Sequence, residues 1–441
     1  MYDDARGHAV TTTDSAALKA YERALHAFQT YRGDPLQPLD DAIRIDPGFA
    51  AAYATKALLL CTIFERRFMR DALATLKSGR EALERGTSRE RALADAAAEL
   101  ARGNWHAGTQ RLEQVLLAHP RDILALQVAH LMDFFRGDAL NLRNRISRVL
   151  PAWDGSMPGY AYVLGMHAFG LEECNDYVAA ERSGRRAVAL SGDDCWAVHA
   201  VGHVMEMQGR IDEGLEWYRE TRAVWSGEDN SFAFHNAWHT ALFHMDRAEF
   251  TPALEVFDAR LATGGEIALT RIDATALLWR LMLEGVDVRA RFVPIADAWE
   301  SVLEDEAGFY AFNDFHATLA LAAAGRRDSL ARIREGIARA EREPGANADM
   351  ARLVARPACE AAIDYCEHRY ADAAEKLVAV RDIASRFGGS HAQRDLLTLT
   401  LIDAATRAGL RGLARHYANE RLVHKPNSAW GKRLAARIAA N

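Results

Sequence analysis

Apolar positions along this chain return at i, i+3, i+4 and i+7 almost throughout, and no convincing two-residue alternation marks a strand. After the polar stretch MYDDARGHAVTTTD, the run AALKAYERALHAFQTY predicts a first helix. Asp14 or Ser15 stands ready to accept the unpaired amides at its start. PLQPLDDAIRI predicts a second helix that stops at Asp46-Pro47-Gly48, and FAAAYATKALLLCTIFE a third. Proline lacks an amide hydrogen and restricts the residue before it, so a helix ends there. The same order recurs in WHAGTQRLEQVLLAHPRDILALQVAHLMDFF, with His119-Pro120 at the turn.

A short amphipathic helix, a proline turn and an Ala-rich helix in repeated order is the grammar of tetratricopeptide (TPR) hairpins. It continues through VAAERSGRRAVAL, CWAVHAVGHVMEMQGR, IDEGLEWYRETRAVW and FAFHNAWH to the C-terminal pairs. Only EREPGANADMARL, residues 341–353, has the composition of a linker. The expected fold is all-α: a TPR-like α-solenoid of roughly ten or more helical hairpins, each covering its neighbour's apolar face, curled around a concave polar pocket. The solenoid is expected over 15–441 as a single domain, with 1–14 as a flexible N-terminal tail.

Polar residues interrupt this pattern at hairpin spacing. His167, His203 and His239 are 36 residues apart, as are His199 and His235; Arg280 follows His239 by 41, and His316 follows Arg280 by 36. Residues four apart share a helix face, so His199/His203 and His235/His239 form two pairs at similar height on neighbouring inner helices. Glu206 and Asn313 project to the same side, and Asp314 is within reach if its helix starts there.

Three readings are open. Neutral imidazoles with a carboxylate are ligands for zinc, iron, nickel or copper, with His199, His203, His235 and His239 as the metal-ligand candidates and Glu206 or Asp314 as the carboxylate. The histidines can instead be a general acid and base, with Arg280 anchoring an anion. Or they are packed, hydrogen-bonded core histidines, where Ala and Leu would pack at lower cost. The HExxH form of metalloproteases is absent. Trp196, Trp238 and Trp279 point about 100° away from the polar set and are expected to pack between hairpins. His130 with Asp133 is a possible edge of the pocket. In GGSHAQRD, residues 388–395, Ser390 is expected to cap a helix, whose start either holds an anion with His391 and Arg394 or is a tight turn with Arg394 and Asp395 in local salt bridges; KPNSAW, residues 425–430, reads as a proline-marked turn.

Composition narrows the partners. The net charge is −7 with no basic run of five or more, which argues against nucleic acid. No apolar stretch reaches the ~18–20 residues that span a bilayer, and the N-terminus has no apolar leader core, so neither membrane nor export is expected. Five scattered cysteines without CxxC suit reduced thiols in a cytoplasm. GxGxxG, GxSxG and P-loop patterns are absent.

Several long strings are distinctive: DILALQVAHLMDFFRG, WAVHAVGHVMEMQGRIDEGLE, FHNAWHTALFHMDRAEFTPALEVFD, LLWRLMLEGV, FNDFHATLALAAAGRRD, GGSHAQRD and KPNSAW. Through them the chain resembles the tetratricopeptide repeat protein 38 family, from about residue 15 to the C-terminus. The resemblance implies a TPR-like helical fold and a soluble cytoplasmic protein, and no established reaction. Positions matching the family's pattern include His199, His203, Glu206, His235, Asn236, His239, Arg280, Asp314 and His316; at His167 relatives carry Tyr or another residue.

The functional expectation is a histidine-rich pocket that binds and acts on a small polar or anionic molecule, with a divalent metal and hydrolase, lyase or oxygenase chemistry. The alternative is a non-catalytic scaffold that takes a peptide or protein partner in its groove. Homodimerisation through terminal hairpins fits either.

Overall fold

The computed structural model describes residues 1–440. Helices dominate it, and many pack against the next helix along the chain. By their internal contacts the described residues form two compact units. The first comprises Met1–Val201 with Ala223–Ala233, and the second Gly202–Arg222 with the chain from Phe234 onward. Helix Cys195–Gln208 contributes to both.

Two kinds of helix alternate. Ile123–Phe135 is buried at every position from Ile123 to Asp133, and Ala311–Ala323 at every position from Ala311 to Leu321. The helices that follow them, Ala139–Val149 and Arg327–Ala340, bury one stripe and turn charged residues to water. An inner helix enclosed on all sides must satisfy every polar side chain it carries from within the protein.

Local chemistry sets the helix ends. Asp14 accepts the Ala16 and Ala17 amides at 2.7 and 3.2 Å to start Ser15–Thr30, and Asp122 and Asp138 cap their helices the same way. Thr87 with Glu90, and Ser390 with Gln393, form reciprocal capping boxes. Several inner helices end on a left-handed residue, as at Gly137, Gly209 and Gly325; Asn175, Ala248 and His368 take that conformation without being glycine. Gly202 is required for another reason: a Cβ there would lie 2.2 Å from the Tyr218 hydroxyl oxygen.

Two sequence expectations change. Residues 1–14 are an ordered clasp, not a loose tail. Tyr2–Asp3 pairs antiparallel with Ala9–Val10, Arg6 bridges Glu22 at 2.7 Å, and Thr12 donates to Asp46 at 2.6 Å. The segment reads as polar because its polar groups have partners on distant helices. The linker-like 341–353 contains helix Ala346–Met350, which runs through the wide turn Ala351–Ala355 into Arg356–Cys366. None of the five cysteines is in a disulfide among the described residues. No helix among the described residues is long and apolar enough to cross a membrane.

KPNSAW is more than a turn. Asp246, at the end of Ala233–Asp246, accepts the Ala429 and Trp430 amides at 2.7 and 3.2 Å and the Ser428 hydroxyl at 2.6 Å. Asn427 donates to the Gln208 carbonyl at 3.0 Å, and the Trp430 indole to Glu284 at 2.7 Å. One buried carboxylate therefore caps helix Ala429–Ala440 and docks it. Asp246→Ala is expected to cost about 2–4 kcal/mol in urea unfolding, since it removes a cap and strands the Ser428 hydroxyl.

Candidate metal centre

The two His-x3-His pairs lie on consecutive inner helices, Cys195–Gln208 and Ala233–Asp246. Both pairs are buried, with exposures of 2 % for His199, 0 % for His203, 4 % for His235 and 0 % for His239. Most positions of both helices are buried, with Phe234, Thr240 and His244 partly exposed. The His203 and His239 rings have centroids 4.4 Å apart, and His235 meets His239 edge-on at 5.0 Å. His199 stands one turn before His203, and its ring packs on Phe169, Trp196 and Phe232. One ring nitrogen from each of the four lies within 4.8 Å of the others. Metal–nitrogen bonds of ~2.0–2.1 Å in a tetrahedron set nitrogens roughly 3.4 Å apart, so small ring rotations close the set.

Two carboxylates fix how these rings face. The Nδ1 of His235 shares a proton with Asp273 across 2.6 Å, and the Nδ1 of His239 lies 3.1 Å from Glu206. A proton held on Nδ1 leaves Nε2 with the lone pair, which is the ligating form. Burial pushes His239 down to about 4, against the opposing pull of Glu206. Burial and then repulsion from His239 hold His203 well below its ordinary value. Both rings are therefore neutral at pH 7, as metal binding requires.

Glu206 was a candidate ligand; it sits behind the ligands instead. Burial pushes its carboxyl up, but Lys425, whose ammonium donates to it at 2.8 Å, and His239 outweigh burial and leave it well below the carboxylate range. Lys425 also faces Asp395 at 3.6 Å, and Arg421 makes a two-pronged pair with Asp395 at 2.9 and 2.8 Å.

The remaining candidates are placed elsewhere. Arg280 donates to the Ala276 and Ala392 carbonyls at 3.1 and 2.6 Å and lies 5.4 Å from the Trp238 ring centre, so its guanidinium is committed to backbone and ring instead of an anion. Burial lowers it to about 10. Asp314 accepts the Gly308 amide at 2.9 Å and fastens the turn before its helix. His316 donates Nδ1–H to the Phe312 carbonyl at 2.9 Å and packs on that ring; burial pushes it down to about 3. His167 is half-buried beside Ser147, and Asp133 pairs with Arg145. Trp279 is enclosed and donates to Thr400 at 2.9 Å and Trp196 stacks on Tyr31, but Trp238 packs against the polar set itself, stacking on His235. In GGSHAQRD, Ser390 caps its helix, and Asp395 pairs with Arg421 and Lys425, not with a local partner.

Sequence reasoning missed Asp273, Lys425 and Arg421, and gave Asp395 a local partner in place of Arg421 and Lys425. A signal for Asp273 was present: it precedes Arg280 by two helical turns and so shares its face. Lys425 carried none, being 219 residues from Glu206.

Two measurements follow. Lys425→Met leaves Glu206 buried without its cation and is expected to cost about 3–5 kcal/mol, while Lys425→Met with Glu206→Gln costs much less. Urea unfolding of both variants shows the difference. His316 stays neutral when folded and gains a proton when unfolded, so its contribution is full above about 6.5 and is lost as pH falls toward about 3. Between pH 7 and 5 the wild type should lose roughly 2 kcal/mol more than His316→Gln, whose amide keeps a donor for Phe312.

No protein-family model matches the chain.

Proposed function

We propose that this protein carries a divalent transition metal on His203, His235 and His239, with His199 as the fourth donor. The observation that supports this reading is the pair of Nδ1–carboxylate contacts, from Asp273 and Glu206, behind two histidines of one convergent cluster. Core histidines need only one satisfied nitrogen each. Four rings gathered with carboxylates behind two of them is the arrangement that metal-bound histidine uses. Nitrogen donors without sulfur suit zinc, iron, nickel or copper. A metal with a replaceable fourth ligand polarises a bound oxygen, which fits a hydrolase, lyase or oxygenase acting on a small polar or anionic molecule. Glu206, tied to Lys425, keeps a negative charge next to the ligand shell and offsets part of the metal's charge. A cytoplasmic, TPR-like protein of the family named above is the setting this reading assumes.

The second reading is a TPR-type scaffold, favoured by the complete burial of the histidines, which then serve only packing. Metal analysis of untagged protein separates the two. The metal reading expects close to one equivalent of metal, lost in His203→Ala and His239→Ala proteins that still fold. Asp273→Asn should weaken the metal by about 10–100-fold. Protein without metal, also after supply of zinc, iron(II), nickel and copper(II) in turn, with variants that only lower Tm, sinks the metal reading.

A further inference from the structure

In the second unit, residues 425–430 touch the last residue of each helix that carries a proposed ligand. Asn427 donates to the carbonyl of Gln208, which ends the helix bearing His203, at 3.0 Å. Asp246, which ends the helix bearing His235 and His239, accepts the Ala429 amide at 2.7 Å and the Ser428 hydroxyl at 2.6 Å. Lys425 reaches in to one oxygen of Glu206, whose other oxygen faces the Nδ1 of His239. We infer that this segment is a latch that sets how tightly His203, His235 and His239 hold their metal, an inference that rests on the metal reading above.

Position is what the latch supplies. His203 and His239 come from different helices, and their ring centroids are 4.4 Å apart. A metal needs both nitrogens within ~2.1 Å of one point, so a slide of roughly 1 Å between the helices takes one donor out of bonding distance. Gln208 follows His203 by about a turn and a half, and Asp246 follows His239 by about two turns, so fixing these ends fixes the rings.

The contact is close enough to demand glycine. Gly209 holds a φ of 66°, and a Cβ there would lie 2.8 Å from the Asn427 carbonyl carbon and 2.9 Å from the Ser428 amide nitrogen. Lys425 adds charge to position. Its ammonium lies 2.8 Å from Glu206 and 3.6 Å from Asp395, two carboxylates that offset its repulsion of a bound dication. Glu206 held in this way keeps its contact with His239 Nδ1, which reserves Nε2 for the metal. Coupling of this kind is reciprocal: a closed latch that favours the metal is favoured by the metal to the same factor.

Hydrogen exchange of the full, untagged chain tests the reciprocal effect, without metal and with zinc, or with whichever of iron(II), nickel and copper(II) binds if zinc does not. The Ala429 and Trp430 amides, both bonded to Asp246, should exchange at least tenfold more slowly when metal is bound. The amides of Ala324 and Gly325, which close another inner helix of the same unit, should change far less. In the other direction, Gly209→Ala pushes against Asn427 and should release metal to a chelator at least tenfold faster. Gly325→Ala carries the same left-handed strain, with a φ of 71° and nothing within 4 Å of the added Cβ, and should release metal like the wild type. If Gly209→Ala does not fold, Asn427→Ala replaces it, since it removes only an exposed side chain's bond to Gln208 and should also speed release. The latch is overturned if metal protects Ala429 and Trp430 no more than Ala324 and Gly325, or if the latch variant releases metal like Gly325→Ala; the metal reading then stands. A wild type that binds none of the four metals sinks the metal reading, and the latch with it.

Discussion

Glu206 is a charge that must be kept ionised inside the protein, and much of the second unit is arranged around that need. Lys425 faces it, His239 leans on it, and Lys425 in turn is shared with Asp395, which Arg421 clamps. Glu206, His239, Lys425 and Arg421 are buried and Asp395 nearly so, which leaves water little room to replace a lost partner. A buried ion pair adds little over well-packed apolar side chains, but removal of one partner is severe. Such a network therefore specifies an arrangement more than it raises stability. Here it specifies where the segment Lys425–Trp430 returns to helices Cys195–Gln208 and Ala233–Asp246, with Asp246 fastening the same return.

The same constraint explains the histidines. An inner helix buried on all faces cannot hide an imidazole in solvent, so each ring is matched by a carboxylate, a carbonyl or another ring. Burial keeps His203 and His239 neutral, and carboxylates face the Nδ1 atoms of His235 and His239. On the proposed metal reading, two effects that oppose each other for a free imidazole act together here. Burial strips its proton, and the carboxylate behind it restores electron density.

The small cavity around Asp194, in the first unit, follows the opposite logic. There the buried carboxylate itself lacks a protein partner for Oδ2, the nearby His130 imidazole is neutral, and the space beside them has room for one water-sized group. Both arise where an inner helix carries polar side chains that packing alone does not require.

Periodicity, proline turns and capping residues made the helices legible from residues alone, because these depend on neighbours within one or two turns. Asp14, Ser390 and the His119-Pro120 turn acted as read. The two His-x3-His pairs were also legible, since 36-residue spacing on repeated hairpins brings equal positions side by side. The N-terminal clasp was not, because its polar residues take partners from Glu22, Asp46 and Glu90. Nor were the roles of Glu206, Arg280 and Asp314: sequence placed them on helices, but which way their charge was spent depended on Lys425, on the Ala392 carbonyl and on the Gly308 amide. Helix formation is a local matter that the residue order determines. The pairing of buried charges is a long-range one, decided only when segments up to 219 residues apart were brought within hydrogen-bond distance.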